Sequence, residues 1–158
     1  MPLKLLLVDD HAIVRQGIRH LLIDRRIARD VAEAESGADA LAAAERGVFD
    51  VILLDISLPD MNGIEVLKRL KRRLPATPVL MFSMYREDQY AVRALKAGAS
   101  GYLSKSVNVT QMIGAIQQVA SGRKYVSPAL AEALAEYVAF ENEPLPHEKG
   151  GVPNVVEG

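Results

Sequence analysis

The sequence predicts an α/β protein: a five-stranded, doubly wound parallel sheet with an extra C-terminal helix. Two observations carry that prediction. Short apolar runs alternate with segments of helical period as far as about residue 122. The connections between them are short, as in right-handed strand–helix–strand units that stack into layers. A third observation places chemistry on the fold. Polar residues able to bind or react follow the runs, and in an open parallel sheet the carboxyl ends of the strands meet along one ligand-binding edge.

The elements follow in order. Leu3–Val8 is the first strand, and Ile13, Val14, Gly17, Ile18, Leu21 and Leu22 then recur at helical spacing. Ile27–Ala34 reads as a weaker strand and Ala38–Glu45 as an alanine-rich helix. Val51–Leu54, four apolar residues in a row, suits a central strand buried on both faces. Pro59-Asp60-Met61-Asn62-Gly63 is turn chemistry. The helix after it turns Ile64, Val66, Leu67 and Leu70 inward, and Lys68, Arg69, Lys71, Arg72 and Arg73 mostly outward. Pro75 and Pro78 lead into a fourth strand, Pro78–Phe82. Glu87–Ala97 is the fourth helix, with Gly98 as its left-handed cap. Gly101–Leu103 is a short fifth strand, and Val109–Ala120 the fifth helix, closed by Gly122.

Ser127-Pro128 opens a sixth helix, with serine at the N-cap and proline at the first helical position. Leu130, Leu134 and Val138 lie along one side of it with Tyr137 beside them. That side needs cover from the domain, a second copy or a further domain. The chain therefore divides into a main domain over residues 1–122, a linker helix over 123–140, and a tail over 141–158 whose composition predicts disorder.

Composition narrows the function. A formal net charge of −1 gives no electrostatic case for nucleic acid or an anionic membrane as partner. Without cysteine there is no disulfide, thiolate zinc site or redox switch. No apolar stretch approaches the ~20 residues of a membrane span, and the first strand leaves no room for a signal peptide. A cytoplasmic location is the expectation. His11 follows two acidic residues, but the chain has three histidines and none at ligand spacing to it, so it reads as a first-turn helix residue. The basic cluster Lys68–Arg73 reads as a solvated helix face.

The residues at the strand ends are Asp9 and Asp10, Asp55, Ser83 and Lys105. Brought together, they make three carboxylates for a hard cation, one hydroxyl and one ammonium. Phosphoryl transfer to a carboxylate needs these groups: the nucleophile is weak towards an anionic donor unless charge is neutralised nearby. Alone, Asp9-Asp10 would do no more than suit the dipole of the first helix.

Val8-Asp9-Asp10-His11, Leu54-Asp55-Ile56 with Pro59 and Gly63, Phe82-Ser83, and Ala97-Gly98-Ala99-Ser100-Gly101-Tyr102-Leu103-Ser104-Lys105 together resemble a response-regulator receiver domain, over roughly residues 3 to 122. The Asp-Asp-His start, the Ala-Gly-Ala-Ser-Gly-Tyr-Leu segment and the Tyr125-Val126-Ser127-Pro128 join resemble the NarL/FixJ subgroup of transcriptional regulators. The resemblance implies a flavodoxin-like receiver in which Asp55 accepts a phosphoryl group from a sensor histidine kinase. It implies Mg²⁺ held by Asp10 and Asp55 directly, by Asp9 through water, and by the backbone carbonyl of Ser57. Lys105 would pair with a phosphoryl oxygen. Ser83 would donate to the phosphoryl group, and Tyr102 would rotate into the space its loop vacates, changing the surface formed by the fourth helix, fifth strand and fifth helix. Ser57 and Tyr85 would flank the attacking water.

Two positions depart from the family pattern. Met84 stands where a small residue is usual, so it is expected to narrow access to the site and disturb the tyrosine's path. Ser106 stands where many receivers carry a cis proline, which leaves that bond's geometry open. Other readings are an aspartyl-phosphate phosphohydrolase, a nucleotide-binding domain and a stand-alone interaction module without phosphorylation. The first wants a second Asp at position 57, and the second a glycine-rich loop that is not there. The domain is expected to turn over no metabolite. About 35 residues follow Gly122, too few for a helix plus a helix-turn-helix domain, so DNA binding is expected only through an output domain missing from this chain. Dimerisation through the fifth-helix region is a further expectation.

Overall fold

The structure is a computed structural model that describes residues 2–84, 87–128, 130–132 and 134–136, with the backbone alone for 87–89. Tyr85, Tyr137, Val138 and the tail from 141 lie outside the described residues. Ten elements alternate: β1 (Leu3–Val8), α1 (Ala12–Asp24), β2 (Ala28–Ala34), α2 (Gly37–Arg46), β3 (Val51–Leu54), α3 (Gly63–Arg73), β4 (Val79–Ser83), α4 (Glu87–Lys96), β5 (Gly101–Ser104) and α5 (Val109–Ala120). The sheet is wholly parallel in the order β2-β1-β3-β4-β5. This is the predicted fold.

The continuous apolar runs form the inner strands because successive side chains enter two different cores. Leu6 and Val8, Ile52 and Leu54, and Val79 and Met81 face α2, α3 and α4. Leu5 and Leu7, Val51 and Leu53, and Leu80 and Phe82 face α1 and α5. Strand order reverses between β1 and β3, whose ends carry Asp9 and Asp55. The crevice is therefore at the topological switch point.

Boundaries shift by a residue or so from the sequence reading. β4 and β5 run on to include Ser83 and Ser104, which pair with each other. α2 starts at Gly37 because Asp60, from the loop after β3, accepts the Gly37 and Ala38 amides at 2.8 and 2.9 Å. Those two bonds hold the Asp60 carboxyl below its usual range. Gly98 and Gly122 take positive φ, +110° and +93°, closing α4 and α5 as left-handed caps.

The segment after Gly122 is bound to the domain. Tyr125 bridges Gly101 in parallel and donates its amide to Ser100 O at 2.9 Å, which blunts the free edge of β5. Ser127 Oγ accepts the Leu130 amide, as an N-cap does. In the helical segment that follows, Leu130 is fully buried in the core that contains Tyr102, and Leu134 packs against it. Of the three candidate covers for this helix, the domain itself supplies one. Burying a leucine in a core is worth about 2–5 kcal/mol against alanine, but a short terminal helix can detach, which caps the loss. Leu130→Ala should therefore speed amide exchange in this helix while leaving β1 and β3 protected, as hydrogen–deuterium exchange would show. Faster exchange throughout the sheet would mean the helix is integral to the core.

Candidate functional site

The predicted acids, Ser83 and Lys105 lie at the carboxyl edge, and Tyr102 lies within β5. Asp9 and Asp10 follow β1, Asp55 follows β3, Ser83 ends β4 and Lys105 follows β5. Asp9 and Asp55 are buried, at 1% and 3% exposure. The Lys105 ammonium reaches between them, 2.6 Å from Asp9 Oδ2 and 3.0 Å from Asp55 Oδ2. It also lies 5.7 Å from the Phe82 ring centroid, within cation–π range. One ammonium thus neutralises parts of two strands whose carboxylates would otherwise repel.

The two oxygens of each buried carboxylate face different partners. Both Oδ2 atoms bind Lys105. Asp55 Oδ1 accepts the Ser57 amide at 3.1 Å, and Asp9 Oδ1 accepts the His11 amide at 2.9 Å. Arg15, from α1, donates to Asp9 O and to Glu33 Oε1, tying the end of β1 to α1 and β2. Nothing in the sequence pattern singled out Arg15, because its partners are a backbone carbonyl and a carboxylate on β2.

Burial raises the Asp55 carboxyl above its ordinary pKa, against the hydrogen bond and charge of Lys105, which lower it. Burial also disfavours the Lys105 ammonium. Its hydrogen bonds and charge pairing with Asp9 and Asp55 outweigh that and hold it above the usual lysine value. Asp55 is thus a desolvated carboxylate paired with a lysine side chain, a combination that suits a nucleophile.

Asp9, Asp10, His11 and Asp55 can each offer one ligand atom, all within 4.8 Å of one another. That spacing and the oxygen-rich donor set fit a divalent cation. His11, read from the sequence as a first-turn helix residue, stands at the start of α1 and beside these acids. It is the N-cap of α1, and its Nδ1 lies 3.1 Å from both Asp9 Oδ1 and Asp10 Oδ1.

Ser83 is fully buried, and its carbonyl accepts the Lys105 amide at 2.8 Å. Tyr102 is fully buried too, among residues of the α4 side. Met84 is 76% exposed and lines a groove between α1 and α5 with Ile13, Val14, Lys105 and Val109. Met84 and Tyr102 thus lie on opposite sides of the sheet. The described residues contain no cis peptide bond, so Lys105–Ser106 is trans. In place of proline, Ser106 donates its amide to Ser104 Oγ at 3.2 Å, and the two hydroxyls lie 2.8 Å apart.

A family model described as the response regulator receiver domain matches residues 5–117. The response regulator GacA of Pseudomonas aeruginosa is 38% identical over 133 residues, covering 84% of this chain and 62% of its own length. UvrY of Escherichia coli is 35% identical over 133 residues, covering 84% and 61%. The chain thus spans about three fifths of the length of these curated relatives. Among solved structures, a LuxR-family two-component response regulator from Aurantimonas sp. SI85-9A1 superposes with TM-score 0.80 at 34% identity, covering 88% of this chain and 99% of that one. A CheY-like receiver domain from Methanospirillum hungatei gives TM-score 0.71 at 28% identity, covering 77% and 96%.

Proposed function

The chain belongs to the response regulator receiver domain family, and we propose that it is the phosphorylation-controlled input of a two-component transcriptional regulator, with Asp55 as acceptor. The observation that carries this reading is the buried Asp55 carboxylate, 3.0 Å from Lys105 and grouped with Asp9 and Asp10 around room for a divalent ion. In the transfer, an Asp55 oxygen bonds to phosphorus as the bond from phosphorus to the donor imidazole nitrogen breaks. The donor leaves as a neutral imidazole after taking up a proton. Asp10 and Asp55, with the Ser57 carbonyl and Asp9 behind them, would hold Mg²⁺. When bound, the ion neutralises phosphoryl oxygens so that an anionic nucleophile can approach.

Lys105 then exchanges its Asp55 contact for a phosphoryl oxygen, and Ser83 donates to another. Tyr102 and Leu130 share one core, which supports a route from Ser83 through the α4 side to the helix after Ser127. In this reading residues 1–122 are the receiver and 123–140 the linker that carries the change to an output domain. The groove beside Lys105, with Ile13 83% exposed, would receive the helix of a sensor kinase bearing the phosphohistidine, in the cytoplasm. Position 57 offers a hydroxyl and no carboxylate, which supports a protein-bound phosphate as the end point over rapid hydrolysis.

The test is intact mass after incubation with Mg²⁺ and acetyl phosphate. One added phosphate is expected, absent with chelator and absent in Asp55→Asn. Phosphate retained in Asp55→Asn would move the acceptor elsewhere. No addition from acetyl phosphate or from a phosphohistidine kinase domain would overturn the reading.

A further inference from the structure

Lys105 has to reach across the sheet. It follows β5, whereas its partners Asp55 and Asp9 follow β3 and β1, two and three strands away in the order β2-β1-β3-β4-β5. At about 4.8 Å per strand, those strands lie roughly 10 and 14 Å from β5. The four-carbon stem, with the acid side chains coming the other way, closes that gap only from a well-placed Cα. A small rotation of the main chain at 105 would take the ammonium off both carboxylates. Hydrogen bonds hold the main chain there. The Lys105 amide donates to Ser83 O at 2.8 Å, and the Val107 amide to Ser104 O at 3.2 Å, which closes a turn with Lys105 and Ser106 at its centre. The Ser106 amide donates to Ser104 Oγ at 3.2 Å, and the Ser104 and Ser106 hydroxyls lie 2.8 Å apart. Just beyond, the capping box of Asn108 and Gln111 fixes the start of α5.

We propose that Ser104 is a positioning residue for phosphoryl transfer to Asp55: its hydroxyl, by accepting the Ser106 amide, sets the turn from which Lys105 reaches Asp9 and Asp55. The inference rests on the receiver reading for Asp55 as acceptor. Serine and threonine hydroxyls fix turns in this way by bonding a main-chain group two residues on. Where many receivers carry proline, this chain restrains the turn by hydrogen bonds. One of them needs the N–H of residue 106, which a proline would not have, so the ring is the wrong restraint for this turn. The serine pair is exposed and water competes for it. Its effect therefore falls on the direction of Lys105 and hardly on the stability of the whole domain.

The test compares Ser104→Ala, Ser104→Thr, Ser106→Ala and Ser106→Pro in the full chain. It reads the initial rate of phosphate incorporation from acetyl phosphate with Mg²⁺, the melting temperature, and the ¹H–¹⁵N magnetic resonance signal of the Lys105 ammonium, assigned with Lys105→Arg. Ser104→Ala should slow incorporation about tenfold, the scale expected when a charge is displaced by a fraction of an ångström. Its ammonium signal should broaden or vanish as the bonds to the two carboxylates loosen, with the melting temperature close to wild type. Ser104→Thr keeps the hydroxyl and should restore both rate and signal. Ser106→Ala keeps the amide and should stay within about threefold of wild type, whereas Ser106→Pro should be as slow as Ser104→Ala. An unchanged rate or ammonium signal in Ser104→Ala would overturn the role of Ser104, and so would wild-type incorporation in Ser106→Pro. Slowing that tracks a fall in melting temperature and is not rescued by threonine would leave Ser104 a stability role only, against the proposal. In each of these cases phosphate uptake by the wild type keeps the receiver reading standing. A wild type that takes up no phosphate would remove that reading, while the ammonium signal would still report whether Ser104 places the lysine.

Discussion

Lys105→Ala should destabilise the protein by about 3 kcal/mol at neutral pH and abolish lasting phosphate incorporation at Asp55. The stability loss follows from what the ammonium touches. Asp9 Oδ2 and Asp55 Oδ2 are both buried, and Lys105 is the cation within hydrogen-bonding distance of both. Its removal leaves two desolvated carboxylates facing one another. The figure is at the low end for a broken buried pair because one carboxyl can take up a proton instead of remaining charged. The functional loss follows from charge: a phosphoryl group on Asp55 would lack the cation that now pairs with the bare carboxylate.

The pH dependence gives this prediction a sign. Asp55 has a raised folded pKa, so its contribution is most favourable below the ordinary aspartate value of 3.8 and is lost as pH rises through the raised value. Without Lys105 the burial effect is opposed by the Ser57 amide alone, the raised value moves further up, and the loss extends to higher pH. Lys105 has a raised folded pKa of its own. Its contribution is fully present below 10.5 and disappears only as pH climbs through the raised value. The gap between wild type and Lys105→Ala should therefore be small in acid, widen towards neutrality and close again only in strong alkali. Urea unfolding at several pH values measures it. A gap independent of pH would mean that the lysine stabilises through packing alone. Adding Asp55→Asn to Lys105→Ala should restore much of the stability, since the costly charge is gone.

Period and run length made the sheet legible. Val51–Leu54 is apolar throughout, and so is Leu5–Val8 within the first strand, because both faces are covered there; the bounds of both strands match the reading. The strand-end positions of the acids, Ser83 and Lys105 followed from the same pattern. What escaped was everything set by a partner distant in sequence or by main-chain atoms. Leu130, which shares a core with Tyr102, arrives from the helix beyond α5. Lys71 was counted with the solvated basic face. Its Nζ donates to Pro75 O and Thr77 O at 3.0 and 2.8 Å, and burial with the nearby Lys124 charge lowers its pKa. Asp60 looked like turn chemistry and also accepts the Gly37 and Ala38 amides of α2, whose N-cap is Ser36, and His11 at the start of α1 lies beside the acidic pair.

Gly63→Ala should cost about 3 kcal/mol and lower the melting temperature by roughly 6–12 °C. The glycine opens α3, where the chain after Asp55 folds back on itself, and its amide donates to Ile56 O at 2.8 Å. A Cβ there would press on the Asp55 carbonyl oxygen and lie 2.5 Å from Ile56 Cα. Both are backbone atoms of the segment that sets the acceptor, so no side-chain rotation can relieve the contact. Either the turn opens or the end of β3 moves, and both displace the Asp55 carboxylate from Lys105. Phosphate incorporation should therefore slow even at temperatures where the variant remains folded. Gly114→Ala is the matched control. Gly114 lies inside α5 with nothing within 4 Å of its built Cβ, so the same change there should stabilise the protein by about 0.5–1 kcal/mol. Differential scanning calorimetry on the pair, with phosphorylation rates alongside, tests the geometry. If Gly63→Ala melts with wild type, the return of the chain over Asp55 is looser than this structure requires. A lower melting temperature with an unchanged rate would separate the turn's role in stability from any role in placing the acceptor.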